Sequence, residues 1–327
     1  MEHAHLGRSG LLVSRLGLGT MNFGMTIDEG ASTAVLDTPS EAGLNLIDTA
    51  DVYGGPQSPE MRQGYGISEE IIGRWLKRTG RRDEIVLATK AYQPMGLGPN
   101  DRRLSAFHLK RACEASLRRL QTDHIDLYQM HHVDRATPWE EVWQAMEQLV
   151  REGKVTYVCS SNFAGWDIAT AQSAAQGRQF LGLISEQSVY NLSNRMLKLE
   201  VIPALQHFGI GLLPYSPLGG GLLAGALEKA TEGRRSAPAA REKIGQHRAQ
   251  LEAYEALCRG LGERPANVAL AWLLHQRPVS SVVVGPRTAQ QLETSLHAPS
   301  IVLDEEALGR LEEIWPGPGQ APEAYAW

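Results

Sequence analysis

Short apolar runs separated by longer stretches with helical spacing recur along almost the whole chain. The runs predict strands over residues 16–19, 44–48, 85–90, 125–131, 155–160, 183–187, 211–215 and 281–284. Between them, Ser68 to Leu76 reads as a helix with Ser68 as its cap and apolar residues three and four apart. A second helix, from Ser105 to Leu120, places Leu109, Ala112, Cys113, Ser116, Leu117 and Leu120 on one face. A third opens at Pro138-Trp139-Glu140-Glu141, with proline in its first turn and acids near its positive end.

Strands that alternate with helices imply parallel neighbours joined by right-handed crossovers, and eight such units close into a barrel. The rival topology, an open doubly wound sheet, wants a glycine-rich turn after its first strand. Here Gly17-Leu18-Gly19-Thr20-Met21 lacks the GxGxxG spacing. The prediction is therefore an α/β fold, a (β/α)8 TIM barrel forming a single domain over residues 1–327. Two apolar pieces around a Gly/Ser turn, Leu6 to Val13, suggest an N-terminal β-hairpin that plugs the barrel's bottom. Two segments interrupt the alternation. Residues 94–103 read as a Gly/Pro loop on the rim after the third strand, and residues 228–246 as a polar, mobile excursion between the seventh and eighth.

Composition narrows the function classes. A hydrophobic share of 43% and a charged share of 21% describe an ordinary globule with ample core material. A net charge of -5 and a pI of about 6.1 give no pull toward nucleic acid or anionic membrane. Cys113, Cys159 and Cys258 are odd in number and lack CxxC spacing, which reads as reduced core thiols in a reducing compartment. No apolar run nears the roughly 18 residues of a membrane span, and Met1-Glu2-His3-Ala4-His5 is not a charged-then-apolar leader. The expectation is a cytoplasmic enzyme with neither nucleic acid nor membrane as partner; nothing in the pattern sets an oligomeric state.

In a barrel, the residues that end the strands share one mouth. Here they are Asp48 with Tyr53 just beyond it, Lys90, His131, Ser161 with Asn162, Gln187, Tyr215 with Ser216, and Gly285 with Arg287. The first four suit carbonyl reduction. A phenol, with a pKa of about 10, is too weak an acid to protonate a developing alkoxide near neutrality. A buried ammonium beside it favours the phenolate and lowers that value, while a carboxylate keeps the ammonium charged and oriented. Tyr53 is then the acid, Lys90 the tuning group, Asp48 the anchor, and His131 a donor to the carbonyl oxygen. Singly, a strand-end lysine is more often an ion-pair partner and a loop tyrosine more often packing; their joint occurrence on adjacent strands favours a site. His132, His124 and Asp134 compete for the role of His131, which is preferred because it continues its strand.

Asp48-Thr49-Ala50-Asp51-Val52-Tyr53-Gly54, Ala88-Thr89-Lys90, Asp126-Leu127-Tyr128-Gln129-Met130-His131, Ser161-Asn162-Phe163, Tyr215-Ser216-Pro217-Leu218 and Gly285-Pro286-Arg287-Thr288 resemble, in order, the signatures of the aldo-keto reductase superfamily. The likeness runs from about Leu6 to about Leu311. It implies an eight-stranded barrel, a small-molecule carbonyl substrate, NADPH with neither metal nor flavin, and a tetrad at Asp48, Tyr53, Lys90 and His131. It further implies that Ser161, Asn162 and Gln187 bind the nicotinamide carboxamide, with Gly19, Thr20, Met21 and Asp48 also at the cofactor. Tyr215 would stack on the ring and leave its other face free to deliver hydride. Ser216, Pro217, Leu218 and the glycines around Gly220 would cradle the pyrophosphate, with Gly285 beside Arg287 on the adenosine 2′-phosphate. Gln291 matches an adenine contact, whereas Thr294 and Ser295 stand where many members carry Glu and Asn. More narrowly, residues 131–145 and 160–166 are similar to a bacterial branch of nucleotide-sugar reductases acting on 4-keto-6-deoxyhexoses, and of glyceraldehyde reductases. Trp139, Trp143 and Trp166 are candidates to stack on a sugar, with core packing the expected use of at least two. Some relatives attached to ion channels keep the barrel as a redox-sensing subunit, a non-catalytic alternative.

Overall fold

Each predicted apolar run becomes a strand lying parallel to the next. The computed structural model describes residues 1–58, 60–228 and 238–326. After a hairpin of β1 (His3–His5) and β2 (Leu12–Ser14) come β3 (Leu16–Gly19), β4 (Leu46–Asp48), β5 (Val86–Ala91), β6 (Ile125–Met130), β7 (Val155–Ser161), β8 (Leu183–Gln187), β9 (Gly211–Leu212) and β10 (Val282–Val284). The last eight form one sheet in the order β10-β3-β4-β5-β6-β7-β8-β9. It closes on itself: Leu212 N donates to Pro278 O (3.0 Å), Ser280 N to Leu212 O (3.0 Å) and Val283 N to Pro214 O (2.9 Å). The fold is thus the expected (β/α)8 barrel.

Around it pack α1 (Glu29–Ala42), α2 (Ile67–Thr79), α3 (Ala106–Leu120), α4 (Trp139–Arg151), α5 (Gly165–Gly177), α6 (Val201–Phe208), α8 (Arg248–Gly260), α9 (Pro265–Leu274), α10 (Ala289–Ser295) and α11 (Glu305–Ile314). Leu16, Leu18, Ile47, Leu87 and Tyr128 face these helices in the outer core. Leu46, Val86, Leu127, Ile184, Leu213 and Val283 fill the barrel interior. Leu6 and Val13 of the hairpin join that interior cluster, so the hairpin does stop one end. Its turn fits because Gly7 (φ 57) brings backbone against β8 and β9. A Cβ at that position would lie 2.6 Å from Gly211 N and from Ile184 O.

The period of two along a strand aims the chemistry. With Leu46, Val86 and Leu127 pointing inward, Asp48, Lys90 and Gln129 point inward as well, toward the far end of the barrel. Thr89 between them points outward, where its Oγ1 donates to Glu69 of α2 (2.5 Å).

Some predicted boundaries shift for identifiable reasons. β4 starts at Leu46 rather than at residue 44, because Asn45 is held by the hairpin: Ser14 N donates to its Oδ1 (2.7 Å). β9 is short because Pro214 has no N–H, although Tyr215 still bridges to Val189. Ser68 is not the cap of α2. Gly66 holds that position, and the Ser68 hydroxyl, inside the helix, donates to Thr20 O (3.1 Å). Ser105 does cap α3, accepting from His108 N (3.2 Å). Residues 94–103 form the expected loop. Of the predicted 228–246 excursion, residues 229–237 lie outside the described residues, and Pro238–Gln246 forms a helix, α7. The three cysteines are buried and free, as the sequence suggested. Among the described residues no helix is long and apolar enough to cross a membrane.

Burial depresses the imidazole of His108 in α3 to about 4, with Asp101 acting to raise it and Arg111 to lower it. The unfolded histidine takes up its proton near pH 6.5 while the folded one resists, so stability is lost as pH falls from about 6.5 toward 4. Relative to His108→Gln, the wild type should lose roughly 2 kcal/mol over that window, read from denaturant midpoints.

Candidate active site

Lys90 is completely buried, and all three of its N–H groups are used. Nζ donates to Asp48 Oδ2 at 2.6 Å, to Thr49 O at 2.9 Å and to the Tyr53 hydroxyl at 3.3 Å. An ammonium can only donate, so the Tyr53 oxygen accepts here and its own proton stays available to another group. Asp48 is fixed from the opposite side, its Oδ1 accepting from Gln129 Nε2 and Gln187 Nε2, each at 2.8 Å. His131 completes the group, its ring edge-on to that of Tyr53 with centroids 5.8 Å apart. β6 ends one residue before it, but His131 N still donates to Ala91 O (3.0 Å) and so keeps the strand's course.

The electrostatics depart from the sequence reading in one respect. Burial raises the Tyr53 pKa above the ordinary phenol value; Lys90 pulls it down, Asp48 and Asp51 push it up, and the net direction is upward. Lys90 therefore limits the shift rather than making Tyr53 more acidic than a free phenol. The consequence is a phenol that keeps its proton at neutral pH, beside a cation that favours the phenolate once the proton leaves. Burial works against the Lys90 ammonium, but Asp48 and Tyr53 outweigh it and hold its pKa above the usual lysine value. His131 is pushed well below the usual imidazole range by burial, with Lys90 and His132 adding to the effect. It is thus a neutral ring, and since its Nδ1 is enclosed with no partner among the described residues, Nε2 is the nitrogen left to face the mouth.

These residues stand at one end of a cavity of about 950 Å³, near the upper end of the roughly 300–1,000 Å³ usual for small-molecule sites. Asp48, Tyr53, His131, Gly19, Thr20, Met21, Ser161, Asn162, Gln187, Tyr215, Ser216, Pro217, Leu218, Gly220, Gly285, Arg287, Gln291 and Ser295 all line it, with Lys90 directly behind Tyr53. Every site residue named from sequence is therefore brought to one place.

The middle of the cavity is a closed hydrogen-bond network. The Ser161 hydroxyl donates to Gln187 O (2.7 Å), Asn162 Nδ2 donates to Ser161 Oγ (3.0 Å), and the Tyr215 hydroxyl donates to Asn162 Oδ1 (2.8 Å). Asn162 sits at φ 59, a left-handed conformation that asparagine tolerates. Buried Glu186 fixes the turn by accepting from Phe163 N (3.1 Å) and from the hydroxyl of Ser160, one on each side of Ser161-Asn162. Gln187 Oε1 is the acceptor this network leaves unengaged, since Gln187 Nε2 is held by Asp48 and Gln129.

Farther along, Gly219–Gly221 form a tight 3-10 turn with φ values of 57°, 72° and 100°, conformations that favour glycine, and bare backbone faces the cavity. At the far end, Arg287 is half-buried and makes no ion pair among the described residues. Thr294 and Ser295 turn their hydroxyls back onto Gln290 O (2.8 Å) and Gln291 O (3.0 Å) of their own helix, so neither reaches out as a longer side chain would.

Sequence reasoning missed several lining groups. Gln129, buried behind the cavity where it holds Asp48, was visible only as part of a motif. Asn22 (Nδ2 to Gly285 O, 2.9 Å), Gln57, Arg264 and Asn267 also reach the cavity. Arg264-Pro265, a helix start with proline at its first position, was the available signal for the last two. Asn267 Oδ1 is buried and has no partner among the described residues, an acceptor left free in the cavity wall. The tryptophans divide as expected. Trp143 is core and donates to Ala171 O (2.9 Å), Trp139 stacks on it at 6.0 Å, and exposed Trp166 lies under the Arg135 guanidinium at 4.9 Å.

Residues 15–316 match the model of the aldo/keto reductase family. An uncharacterized oxidoreductase of Bacillus subtilis (strain 168), YrpG, is 49% identical over 333 residues, covering 100% of both chains. A probable voltage-gated potassium channel subunit beta of Arabidopsis thaliana is 31% identical, over 99% of this chain and 100% of the relative. Norsolorinic acid reductase stcV of Emericella nidulans is 34% identical, over 97% of this chain and 82% of the relative.

Proposed function

This chain belongs to the aldo/keto reductase family, and on that footing we propose that it reduces an aldehyde or ketone to an alcohol with NADPH, Tyr53 giving the proton. The observation that carries the reading is the chain of contacts from Asp48 through Lys90 to Tyr53 (2.6 and 3.3 Å) at the floor of a cavity sized for a dinucleotide and a small substrate. The residues present suit that cofactor: a glycine turn with bare backbone and, among the described residues, a guanidinium at Arg287 without an ion pair and an acceptor at Asn267 without a donor. When bound, NADPH supplies a hydride to the carbonyl carbon.

The protein's own residues do the rest. The neutral His131 offers Nε2–H to the carbonyl oxygen, and Tyr53 passes its proton to that oxygen as charge develops on it. Lys90, pinned by Asp48, stabilises the phenolate that remains. The test is steady-state NADPH oxidation with a panel of aldehydes and ketones; the proposal requires many turnovers per enzyme.

Preference for NADPH is assigned to Arg287, whose guanidinium suits a phosphate dianion through charge-assisted pairs. Arg287→Ala should weaken NADPH binding by roughly 10–100-fold while leaving NADH nearly unchanged. Fluorescence titration reads both, and equal losses would remove the phosphate contact.

Two narrower readings belong beside this one. The motif likeness at residues 131–145 favours a nucleotide-linked 4-keto-6-deoxyhexose as substrate, so such a sugar belongs on the panel. The potassium-channel relatives favour a redox-sensing subunit instead. Tight NADPH binding with at most a single slow turnover on every carbonyl would select that alternative.

A further inference from the structure

We propose that Glu186 is a positioning residue for the nicotinamide end of the site: from behind the cavity wall, its carboxylate holds Ser161, Asn162, Gln187 and Tyr215 in the arrangement that captures the dinucleotide. This rests on the reductase reading for the identity of the ligand, and goes beyond it by making capture depend on one buried charge.

A register slip in the sheet puts the carboxylate there. Val158 of β7 pairs with Leu183 of β8, but Ser160 pairs with Glu186, so β8 carries one extra residue between them. Ile184 points into the barrel. Simple alternation would then aim Glu186 inward and Gln187 outward. The extra residue reverses this. Gln187 Nε2 reaches Asp48 Oδ1 (2.8 Å) inside the barrel, while Glu186 lies behind the wall, completely buried and off the cavity lining.

Three segments are tied to that carboxylate. Oε2 accepts from the Ser160 hydroxyl near the end of β7, while Oε1 accepts from Phe163 N (3.1 Å), beyond the Ser161-Asn162 turn, and from the Ser188 hydroxyl (2.5 Å), directly after β8. Ser188 O in turn accepts from Tyr215 N (3.1 Å), and Gln187 O from Asn162 N (3.1 Å). Each residue facing the cavity here is thus flanked by, or bonded to, one that Glu186 holds. A carboxylate accepts at both oxygens. A protonated carboxyl donates at one of them, and Ser160 or Ser188 must then turn its own proton away.

Burial pushes the Glu186 carboxyl up to about 7, with the bonds from Ser160, Ser188, Phe163 N and Asn162 N acting to lower it. Its titratable neighbours do not share that range. Burial raises Cys159 on β7 and Tyr215 after β9, the charge of Glu186 adds to both shifts, and both groups are neutral at pH 7. His131, beyond Asn162, is pushed well below the imidazole range by burial, and Asp167 of α5 is paired with Arg135 (2.8 Å). Above about pH 7 the three segments are held; as pH falls through that value the hold is released and nucleotide binding weakens.

The experiment is a fluorescence titration of the full chain with NADPH from about pH 6 to about pH 8.5, for the wild type and Glu186→Gln. The ratio of the two affinities is read at each pH, because protonation of the 2′-phosphate affects both proteins alike. The wild type is expected to lose at least about fivefold relative to the variant as pH falls. Ser188→Ala, which also serves if Glu186→Gln folds poorly, removes one bond that favours the carboxylate and should move the wild-type midpoint upward by about half a pH unit or more. A purely structural Ser188 would weaken binding at every pH and leave the midpoint alone. A constant ratio, or a midpoint that Ser188→Ala leaves in place, overturns the role of Glu186 while the reductase reading stands. No NADPH binding at any pH overturns both.

Discussion

Replacing Tyr53 with phenylalanine should lower kcat for carbonyl reduction by about a thousandfold, within the span expected when a positioned general acid is removed. The ring stays in its pocket, and Lys90 keeps its bonds to Asp48 and Thr49 O, so the fold has no reason to change. NADPH affinity should therefore be that of the wild type. The two readouts together make the test specific: a coordinate loss of binding and turnover would point to a disturbed cavity rather than a missing proton. Turnover within about tenfold of wild type would show that the proton comes from another donor.

Lys90→Met should produce the second large effect, and on two quantities at once. Removing the ammonium leaves the Asp48 carboxylate buried without its cation, which costs roughly 3–5 kcal/mol of stability. It also leaves the phenolate without its stabilising neighbour, and turnover should drop by roughly a hundredfold or more. Stability and chemistry separate in Lys90→Met/Asp48→Asn. Neutralising the orphaned carboxylate should restore much of the melting temperature, while activity stays low. If the double variant regains turnover, Lys90 acts only as a structural counter-ion.

Much of this was legible in the chain because the barrel imposes two simple periods. Alternation along β4, β5 and β6 decides that Asp48, Lys90 and Gln129 share a face, and parallel pairing puts that face at one end. Spacing alone put Asp48, Lys90 and His131 at strand ends, whereas Gln129 was visible only inside a motif and Gly19, Gln291 and Ser295 only through the family resemblance. What spacing does not encode is the balance of opposing terms at a buried atom. The direction of the Tyr53 shift depends on how far burial outweighs Lys90, and that requires knowing how deeply the ring sits. Ser68 failed as a cap for a related reason. Its hydroxyl has a better partner in Thr20, 48 positions away in sequence, which no local rule can see. Asn267 and Arg264 were missed because they enter the cavity from a helix start after β9 rather than from a strand end.

The seam between β9 and β10 gives the barrel an uneven circumference. Asp48, Lys90 and His131 stand on β4 to β6 and the residue after them, where strand pairing is continuous, whereas β9 contributes two residues to the ring. The glycine turn after β9 and the Gly285–Arg287 segment after β10 face each other across that thin stretch. A molecule touching both would act as a clasp, joining two edges that otherwise meet through the backbone bonds at Leu212, Ser280 and Val283. If the nucleotide proposed above binds there, the tightness of its capture and the resistance of the ring to opening become one physical property, adjustable without touching Tyr53 or Lys90.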